Sequence, residues 1–564
     1  MRNIVVVQCK STGINYIQDI IDRNCNPVIL EMNAFSDTEE AEMHLKEVRS
    51  GYNLINADYD LIYEKDTYEE TLEMVKKLDP LVIVPGTEDG VILATKLAND
   101  LNLLCNPIEN LDAITLKNEM HKRLAENNLR SIRGRIVTSV EEAIEYYDSQ
   151  HLDEVVIKPQ YSFCSVGVRI CSNKEEMIKS LHELFNSTNA YGTELDELLI
   201  QERIRGEEYV VNLMSCNGVH RVTTIWKYHK IKTHEGGHVY DYDETINELG
   251  IGEAELVEYA YDVADALGIK YGPVHGEYMI DEKGPVLIEV NCRPHGGNLD
   301  AKFLDRISGQ HETDSSLDSY LNPDKFHQDR QKPYKLYAHG VLKSIIVPKD
   351  ITAKSSPLQN IGKNLKSHHR TLIGQIEDSQ FFLKTQDIET SPGDIYLVHE
   401  DKNQVMKDLE FLRSLEQRAF QLVLSEETHE NANIDDLSYL NDIKSIVNNL
   451  KPYGTILLVT DTFFDDLSIV QTDAEGLDKI DGEFDCVLIN LNKSIANESD
   501  EKIAALLLKT LKTVKVGGGI YIPKTTYDHI PNGRLGAEAL VKFMNFKIEL
   551  PVHKLPRMLI ASKR

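Results

Sequence analysis

The sequence predicts a multidomain protein of the α/β and α+β classes. An open α/β domain stands at the N-terminus, a larger mixed domain in the middle and a Rossmann-like α/β domain at the C-terminus. Three observations carry this. Apolar runs alternate with helical stretches over residues 1–110 and again over 437–564. A polar, acidic stretch without apolar periodicity, SEETHENANIDD (425–436), contains a linker at 426–436. Between them, VHGEYMIDEKGPVLIEVNCRPHGG (Val274–Gly297) reads as a β-hairpin bearing two carboxylates, a carboxamide, an arginine and a pair of glycines.

At 564 residues the chain has room for three or four domains. Its 41% hydrophobic content is that of a soluble globular protein. The formal charge is −30, from 61 basic and 91 acidic residues, which argues against a nucleic-acid or anionic-membrane partner. No apolar run approaches membrane-spanning length. The apolar start of MRNIVVVQCKSTG is too short for a signal-peptide core. The eight cysteines are scattered without CxxC pairs, as reduced thiols of a cytoplasmic protein would be.

Along the first domain, Ile4–Val7 is a buried strand, Gly13–Arg23 a helix and Pro27–Glu31 a second strand. LVIVP (Leu81–Pro85) is a later strand, followed by the turn GTEDG and a helix over Val91–Leu101. No Gly-x-Gly-x-x-Gly follows the first strand, so nucleotide binding there has no support. Glu88, in the turn, is a candidate substrate residue; as an acid beside a helix N-terminus it equally suits the helix dipole.

The middle domain spans 111–425, with a subdomain at about 125–205. Lys117 lies in a helical stretch, and Lys158 ends the apolar strand EVVIKP. Two lysines on separate elements can approach phosphates from two sides; the plain alternative for Lys158 is snorkelling at a strand end. PQYSFCSVGV follows, a small-residue loop with Ser162, Ser165 and Gly167 that can fold over phosphates. ELLIQERIRGEEYVV is a strand, a short link and a second strand, and contains Glu202, Arg203, Ile204 and Glu208. TTIWKYHKIKTHEGGHVYDYDETI holds the single tryptophan, Lys230 and His238 in a basic segment that also suits an exposed loop. IYLVHEDKNQVMKDLEFLRSLEQ closes the domain as a strand and a helix.

In the hairpin, side chains repeat every two residues, so Glu289 and Asn291 share a face and Glu277 on the neighbouring strand can join them. Two carboxylates and a carbonyl oxygen are hard ligands suited to Mg²⁺, with Mn²⁺ as an alternative ion. A Glu inside the run Val-Leu-Ile-Glu-Val-Asn is notable, because buried acids are rare unless paired or metal-bound. Arg293 follows, placed to hold a phosphate by two hydrogen bonds. His275, Gly296 and Gly297, on either side of the hairpin, are candidate substrate contacts. The oxygen-based ligand set argues against zinc.

These segments, in this order, resemble the ATP-grasp superfamily, and most closely its carboxylate–amine ligases, above all the dipeptide-forming L-amino-acid ligases. The resemblance covers roughly residues 80–420. It implies ATP-dependent amide or peptide bond formation through an acyl phosphate, with release of ADP and phosphate. It implies that Lys117 contacts the α-phosphate and Lys158 the α- and β-phosphates, and that the loop of Ser162, Ser165 and Gly167 matches the family's flexible glycine-rich loop, here with a single glycine. Backbone groups around Arg203 and Ile204 would read adenine, with Glu202 near N6 and Glu208 on the ribose. Lys230 or His238 would meet a carboxylate or the transferred phosphate, and Arg293 would stabilise the acyl phosphate. The N-terminal domain, with Glu88, would help bind the acceptor substrates. Small-molecule carboxylate and amine substrates follow, and a homodimer is a candidate assembly. A bicarbonate-using carboxylase or carbamoyl-phosphate-type enzyme is the alternative within enzymes; a non-catalytic ATP-binding regulator is the alternative outside them.

Residues 437–564 resemble class I methyltransferases in their later half, FDCVLINL through LKTVKVGGGIYIPK. The first strand, GTILLVTDTFFDD, lacks the glycine-rich turn on which the methyl donor would rest, so the domain is expected to be degenerate and to serve packing, dimerisation or regulation.

Overall fold

A computed structural model describes residues 1–32, 58–159, 167–187, 195–232, 238–347, 350–353, 365–373, 380–386, 390–422, 455–460, 463, 469–490, 506, 509–510, 513–523 and 558–562. Ser162, Ser165 and the linker at 426–436 lie outside the described residues. The chain divides into two compact units, one of residues 1–343 with 396–405, the other of 344–395 with 406–564.

The first unit begins with a parallel sheet of β1 (Arg2–Val7), β2 (Cys25–Glu31), β3 (Asp60–Tyr63) and β4 (Pro80–Pro85), in the order β3-β2-β1-β4. Near-continuous apolar runs such as Ile-Val-Val-Val in β1 are what a strand covered on both faces requires. One face packs on α1 (Asn15–Asp22) through Ile4, Val6, Ile17 and Ile20. The other packs on α2 (Tyr68–Lys77) and α3 (Gly90–Asp100) through Val5, Val7, Val75 and Leu97. Gly86 is required where the loop after β4 crosses the loop after β1, since a Cβ there would stand 2.4 Å from the Gln8 carbonyl oxygen.

Next, α4 (Lys117–Glu126) leads into a smaller antiparallel layer. Its strands are β5 (Gly134–Val137), β6 (Val155–Lys158), β7 (Arg169–Cys171) and β8 (Leu198–Glu202), ordered β5-β8-β6-β7. Two helices, α5 (Val140–Ser149) and α6 (Lys174–Phe185), cover one side with a core of Val137, Tyr146, Ile157, Met177, Leu181 and Leu198. Ser139 and Asn173 cap these helices by accepting from the amides of Glu142 and Glu176.

The largest sheet contains β9 (Glu207–Cys216), β10 (Val219–Lys232), β11 (His238–Thr245), β12 (Gly272–Asp281), β13 (Gly284–Asn291) and β14 (His339–Ser344), in the order β13-β12-β9-β10-β11-β14. Its two faces differ because period-2 alternation separates residue classes. Tyr209, Val211, Leu213, Val274 and Tyr278 pack on Leu256, Tyr259, Ala260 and Val263 of α7 (Ile251–Ala266). Truncating a fully buried Leu256 to alanine would cost about 2–5 kcal/mol. The opposite face is polar and carries the site.

Three further helices follow: α8 (Ala301–Ser308), α9 (Glu312–Leu321) and α10 (Pro323–Arg330). Leu317 of α9 enters the core of the N-terminal sheet. Tyr16 of α1 donates to Ser316 Oγ at 2.8 Å, and Arg23 Nη2 lies 2.8 Å from both Asp314 and Asp318. The sequence reading of a strand and helix after residue 392 corresponds to Gly393–His399 and Lys402–Leu422.

The second unit contains a five-stranded sheet in the order Val470–Thr472, Ile456–Thr460, Phe484–Asn490, Val514–Pro523, Met558–Ser562. The first four run parallel and the last antiparallel. Val470–Thr472 was not expected from the sequence, since a three-residue edge strand is too short to give a period.

Candidate active site

The polar face is built in rows by strand pairing. Thr224, Asn212, His275 and Asn291 are successive partners across β10, β9, β12 and β13. The next row is Trp226, Val210, Glu277 and Glu289. Glu277 and Glu289 are therefore direct cross-strand partners, a like-charge arrangement that destabilises a sheet unless cations offset it. Protein cations do so here. Lys117 Nζ lies 2.9 Å from Glu289 Oε2. Lysine at the first position of a helix opposes the helix dipole, so Lys117 gains its place from the carboxylates it faces and not from α4.

Burial works against the Glu289 charge, but Lys117 and Lys158 outweigh it and hold the carboxyl down at about 2. Glu277 is pushed up by burial and by Glu289. Lys117 is raised, because Glu289 and Glu88 outweigh its own desolvation. Lys158, buried at the end of β6, goes the other way: burial, then Lys117, press it down to about 8.

Arg293 leaves β13 into a loop that reaches the N-terminal sheet. Its Nη2 lies 3.4 Å from Glu88 Oε2, and Glu88 follows the end of β4. In an order β3-β2-β1-β4 the crevice between the carboxyl ends of β1 and β4 is the topological switch point, where open α/β sheets bind ligands. Asn291 stands beside Glu88; with its amide turned to donate, the nitrogen lies 3.2 and 3.3 Å from the two Glu88 oxygens.

The loop itself is pinned. Thr12 donates to the Gly296 carbonyl at 3.1 Å and accepts from Leu299 N–H at 2.9 Å; Asn15 donates to the Leu299 carbonyl at 2.8 Å. Gly297 has φ +77°, and its carbonyl accepts from Tyr396 at 2.7 Å. Gly296 and Gly297 thus shape the loop that carries Arg293.

Lys230 and Glu208 form a pair at 2.7 Å on the same face, with Lys230 Nζ 4.3 Å from the centre of the Tyr240 ring. Burial raises Glu208, while Glu208 and Glu277 raise Lys230 despite its desolvation.

Of the sequence candidates, Lys117, Lys158, Glu88, Glu277, Glu289, Asn291, Arg293, Lys230 and Glu208 converge. His275 is 2% exposed and sits beneath Glu277, with Nε2 3.3 Å from Glu277 Oε1 and Nδ1 3.0 Å from Asn212 Oδ1. The described contacts of Glu202 and Arg203 run elsewhere: Glu202 accepts from the Arg133 amide and side chain at 2.7–2.9 Å, and Arg203 N–H donates to the Glu154 carbonyl at 3.1 Å. Ile204 follows half-buried, and Gly167 has φ +75°.

Sequence reasoning assigned no role to Asn212, His295 or Glu312, although His295 was visible beside the hairpin. Asn212 carried a signal, a lone carboxamide within the apolar strand YVVNLMS. Glu312 carried none: it is brought to the amide of His295, 2.6 Å away, by tertiary packing, and burial pushes its carboxyl up to about 7.

The donor set fits a hard divalent cation: two facing carboxylates, a carboxamide and nearby lysines and arginine for phosphate. Among the described residues no helix is long and apolar enough to cross a membrane.

The region that holds this site is similar to known proteins. Residues 153–301 match the model of the ATP-grasp domain. Dapdiamide A synthase of Enterobacter agglomerans is 26% identical over 365 residues, covering 64% of this chain and 84% of that protein. The large chain of carbamoyl phosphate synthase from Clostridium acetobutylicum is 24% identical over 265 residues, 45% of this chain and 24% of that protein. The crystal structure of L-amino acid ligase from Bacillus licheniformis superposes with a TM-score of 0.57 at 16% identity, covering 73% of this chain and 97% of that one, a likeness of fold.

Proposed function

We propose that this chain, an ATP-grasp ligase of the ADP-forming, carbon–nitrogen-bond-forming class, joins an amino-acid carboxylate to an amine through an acyl phosphate. The observation that carries this reading is the facing pair Glu277 and Glu289, with Asn291 beside them, in a field of Lys117, Lys158 and Arg293.

Glu277, Glu289 and Asn291 would hold Mg²⁺. When bound, that ion offsets charge on the transferring phosphoryl group. Lys117 and Lys158 approach the triphosphate as point charges from separate elements. Glu208 is placed to accept from ribose hydroxyls, in exchange for its contact with Lys230. Lys230 is then released toward the transferring group. Arg293, anchored by a pinned loop, holds the substrate carboxylate in line and steadies the acyl phosphate that its attack creates. The amine arrives from the crevice beside Glu88, attacks the activated carbonyl and expels phosphate. Glu88 accepts a hydrogen bond from the incoming amine, so orients it, and takes up the proton that the nitrogen loses as the C–N bond forms. The similarity to dapdiamide A synthase supports amino-acid-like substrates. The domain layout that goes with this reading is an N-terminal domain to about residue 110, the ATP-grasp domain to about 425 and a C-terminal domain from 437.

The test is amine-dependent ADP release across amino acids, singly and in pairs, with product masses. Glu289→Gln should lower turnover by about 2–4 kcal/mol of transition-state stabilisation. Near-normal turnover of that variant at saturating Mg²⁺ would remove Glu289 from the site, and bicarbonate-dependent ADP release without an amine would favour the carboxylase alternative.

A further inference from the structure

Beside Glu277 lies a buried polar row of which the reaction scheme uses only Asn291. Asn212 is 1% exposed, at the centre of β9, with an imidazole on either side. His275 Nδ1 is 3.0 Å from Asn212 Oδ1. His295 Nδ1 is 3.1 Å from Asn212 Nδ2. Nδ2 also donates to Thr224 Oγ1 at 2.9 Å, and Thr224 accepts from Trp226 Nε1 at 3.1 Å. The far ends of the two rings reach the chemistry. His275 Nε2 faces Glu277 Oε1 at 3.3 Å. His295 belongs to the Arg293 loop; its Nε2 is 3.2 Å from the Tyr228 hydroxyl and its amide donates to Glu312 Oε2 at 2.6 Å. The two rings also lie 4.5 Å apart, centre to centre.

We propose that Asn212 is a positioning residue that fixes Glu277 through His275 and the Arg293 loop through His295. One carboxamide thereby holds the strand of Glu277 and the loop of Arg293 in register. This rests on the reading of Glu277 as a metal ligand.

The hydrogen inventory explains why the residue is asparagine. A carboxamide offers two N–H donors on one side and an acceptor on the other, so it sets which ring nitrogens carry hydrogen. With Nδ2 toward Thr224 and His295, His275 must donate from Nδ1 and turns a lone pair to Glu277. Rotating the amide by half a turn lets it donate to His275 Nδ1, which leaves His275 donating from Nε2 to the carboxylate. An ionised Glu277 accepts only in the second arrangement. The amide therefore has two settings, and ligation by Glu277 selects one. Leucine has the volume but no donors or acceptors; serine reaches only one ring. A buried network that is partly satisfied loses more than one bond's contribution, and partners that orient metal ligands typically carry roughly 10–100-fold in metal affinity.

The experiment uses the full chain with Asn212→Leu, Asn212→Ser and Glu277→Gln, each checked for fold by circular dichroism. Mn²⁺ is titrated in the presence of a non-hydrolysable ATP analogue, and the analogue is titrated without metal. Both Asn212 variants should weaken Mn²⁺ binding by roughly tenfold or more, and metal-free analogue binding should not change, because Lys117 and Lys158 are untouched. Turnover should show a raised KM for Mg²⁺ with a smaller loss in kcat. Mn²⁺ affinity unchanged in a folded Asn212 variant, while Glu277→Gln loses it, overturns the inference alone. Unchanged affinity in Glu277→Gln overturns the metal reading and the inference with it. Equal losses in Mn²⁺ and metal-free analogue binding, or failure of both Asn212 variants to fold, make the residue a structural one and also overturn it.

Discussion

Lys117 Nζ and Glu289 Oε2 are 2.9 Å apart, with both side chains largely buried, so a divalent cation held by Glu289, as proposed, would compete with a lysine for one carboxylate. A nucleotide would resolve that competition, because its phosphates would take Lys117 and leave Glu289 to the metal. Metal and ATP should therefore bind with positive coupling. Lys117→Met should strengthen Mn²⁺ binding measured without nucleotide. The same change should weaken ATP binding by about 1.5–3 kcal/mol, the range for a charged hydrogen bond. Weaker nucleotide-free Mn²⁺ binding in the variant would show that Lys117 is no competitor.

Lys158 sets a pH dependence of opposite sign to that of a carboxylate. Burial and Lys117 press its ammonium down to about 8. Phosphate binding favours the charged form, so ATP affinity should be constant below pH 8 and weaken above it, by up to about tenfold per unit. Lys158→Arg, which keeps its charge, should remove that slope. Stability runs the other way: between pH 8 and about 10.4 the unfolded chain holds the proton that the folded chain has released, so this group's contribution rises with pH. ATP titrations at pH 7, 8 and 9 check the first point, and a flat profile would place Lys158 away from the phosphates.

His311 docks the N-terminal sheet to the helices that follow the site loop. Its ring nitrogens lie 2.9 Å from Asp19 and 2.8 Å from Asp305. Burial opposes the imidazolium, but the two carboxylates outweigh it and raise the group to about 10. The folded value exceeds the unfolded one, near 6.5, so the stabilisation is complete below pH 6.5 and is lost as pH rises toward 10. Thermal unfolding of His311→Gln should fall below that of the parent at pH 6 and approach it at pH 10. A constant difference across that range would mean the ring acts by packing alone.

Much of this site was legible because an acid in an apolar strand is anomalous. Glu277 and Glu289 announced themselves in that way, and a short hairpin brought them to one face. Asn212 gave the same kind of signal in YVVNLMS, but nothing local told which residues would flank it. Register supplied them: His275 on β12 and Thr224 on β10 are its cross-strand partners. The contact between Asp19 and His311 spans 292 residues, and no pattern within either segment encodes it. Glu202 was read for adenine from its place in the chain; its described partner Arg133, just before β5 and 69 residues earlier, could not be read from either segment. Periodicity reports which face a residue takes; it is silent on partners that only tertiary packing selects.

The sheet of the second unit raises a separate question of ligand binding. Its order places Ile456–Thr460 between Val470–Thr472 and Phe484–Asn490, with all three parallel. The chain moves to one side of its first strand and then to the other, which puts a topological switch at the carboxyl end of that strand. A cofactor there would need the backbone to approach closely, and glycines normally allow it. Here the residues after Thr460 are Asp-Thr-Phe-Phe, and Phe463 is 56% exposed. Side chains of that size hold a ligand away from the backbone donors. S-adenosylmethionine should therefore give no heat beyond dilution when titrated into the full chain. If Phe463 is the obstacle, Phe463→Gly should begin to admit the ligand, whereas micromolar binding by the parent would make the second unit a cofactor domain in its own right.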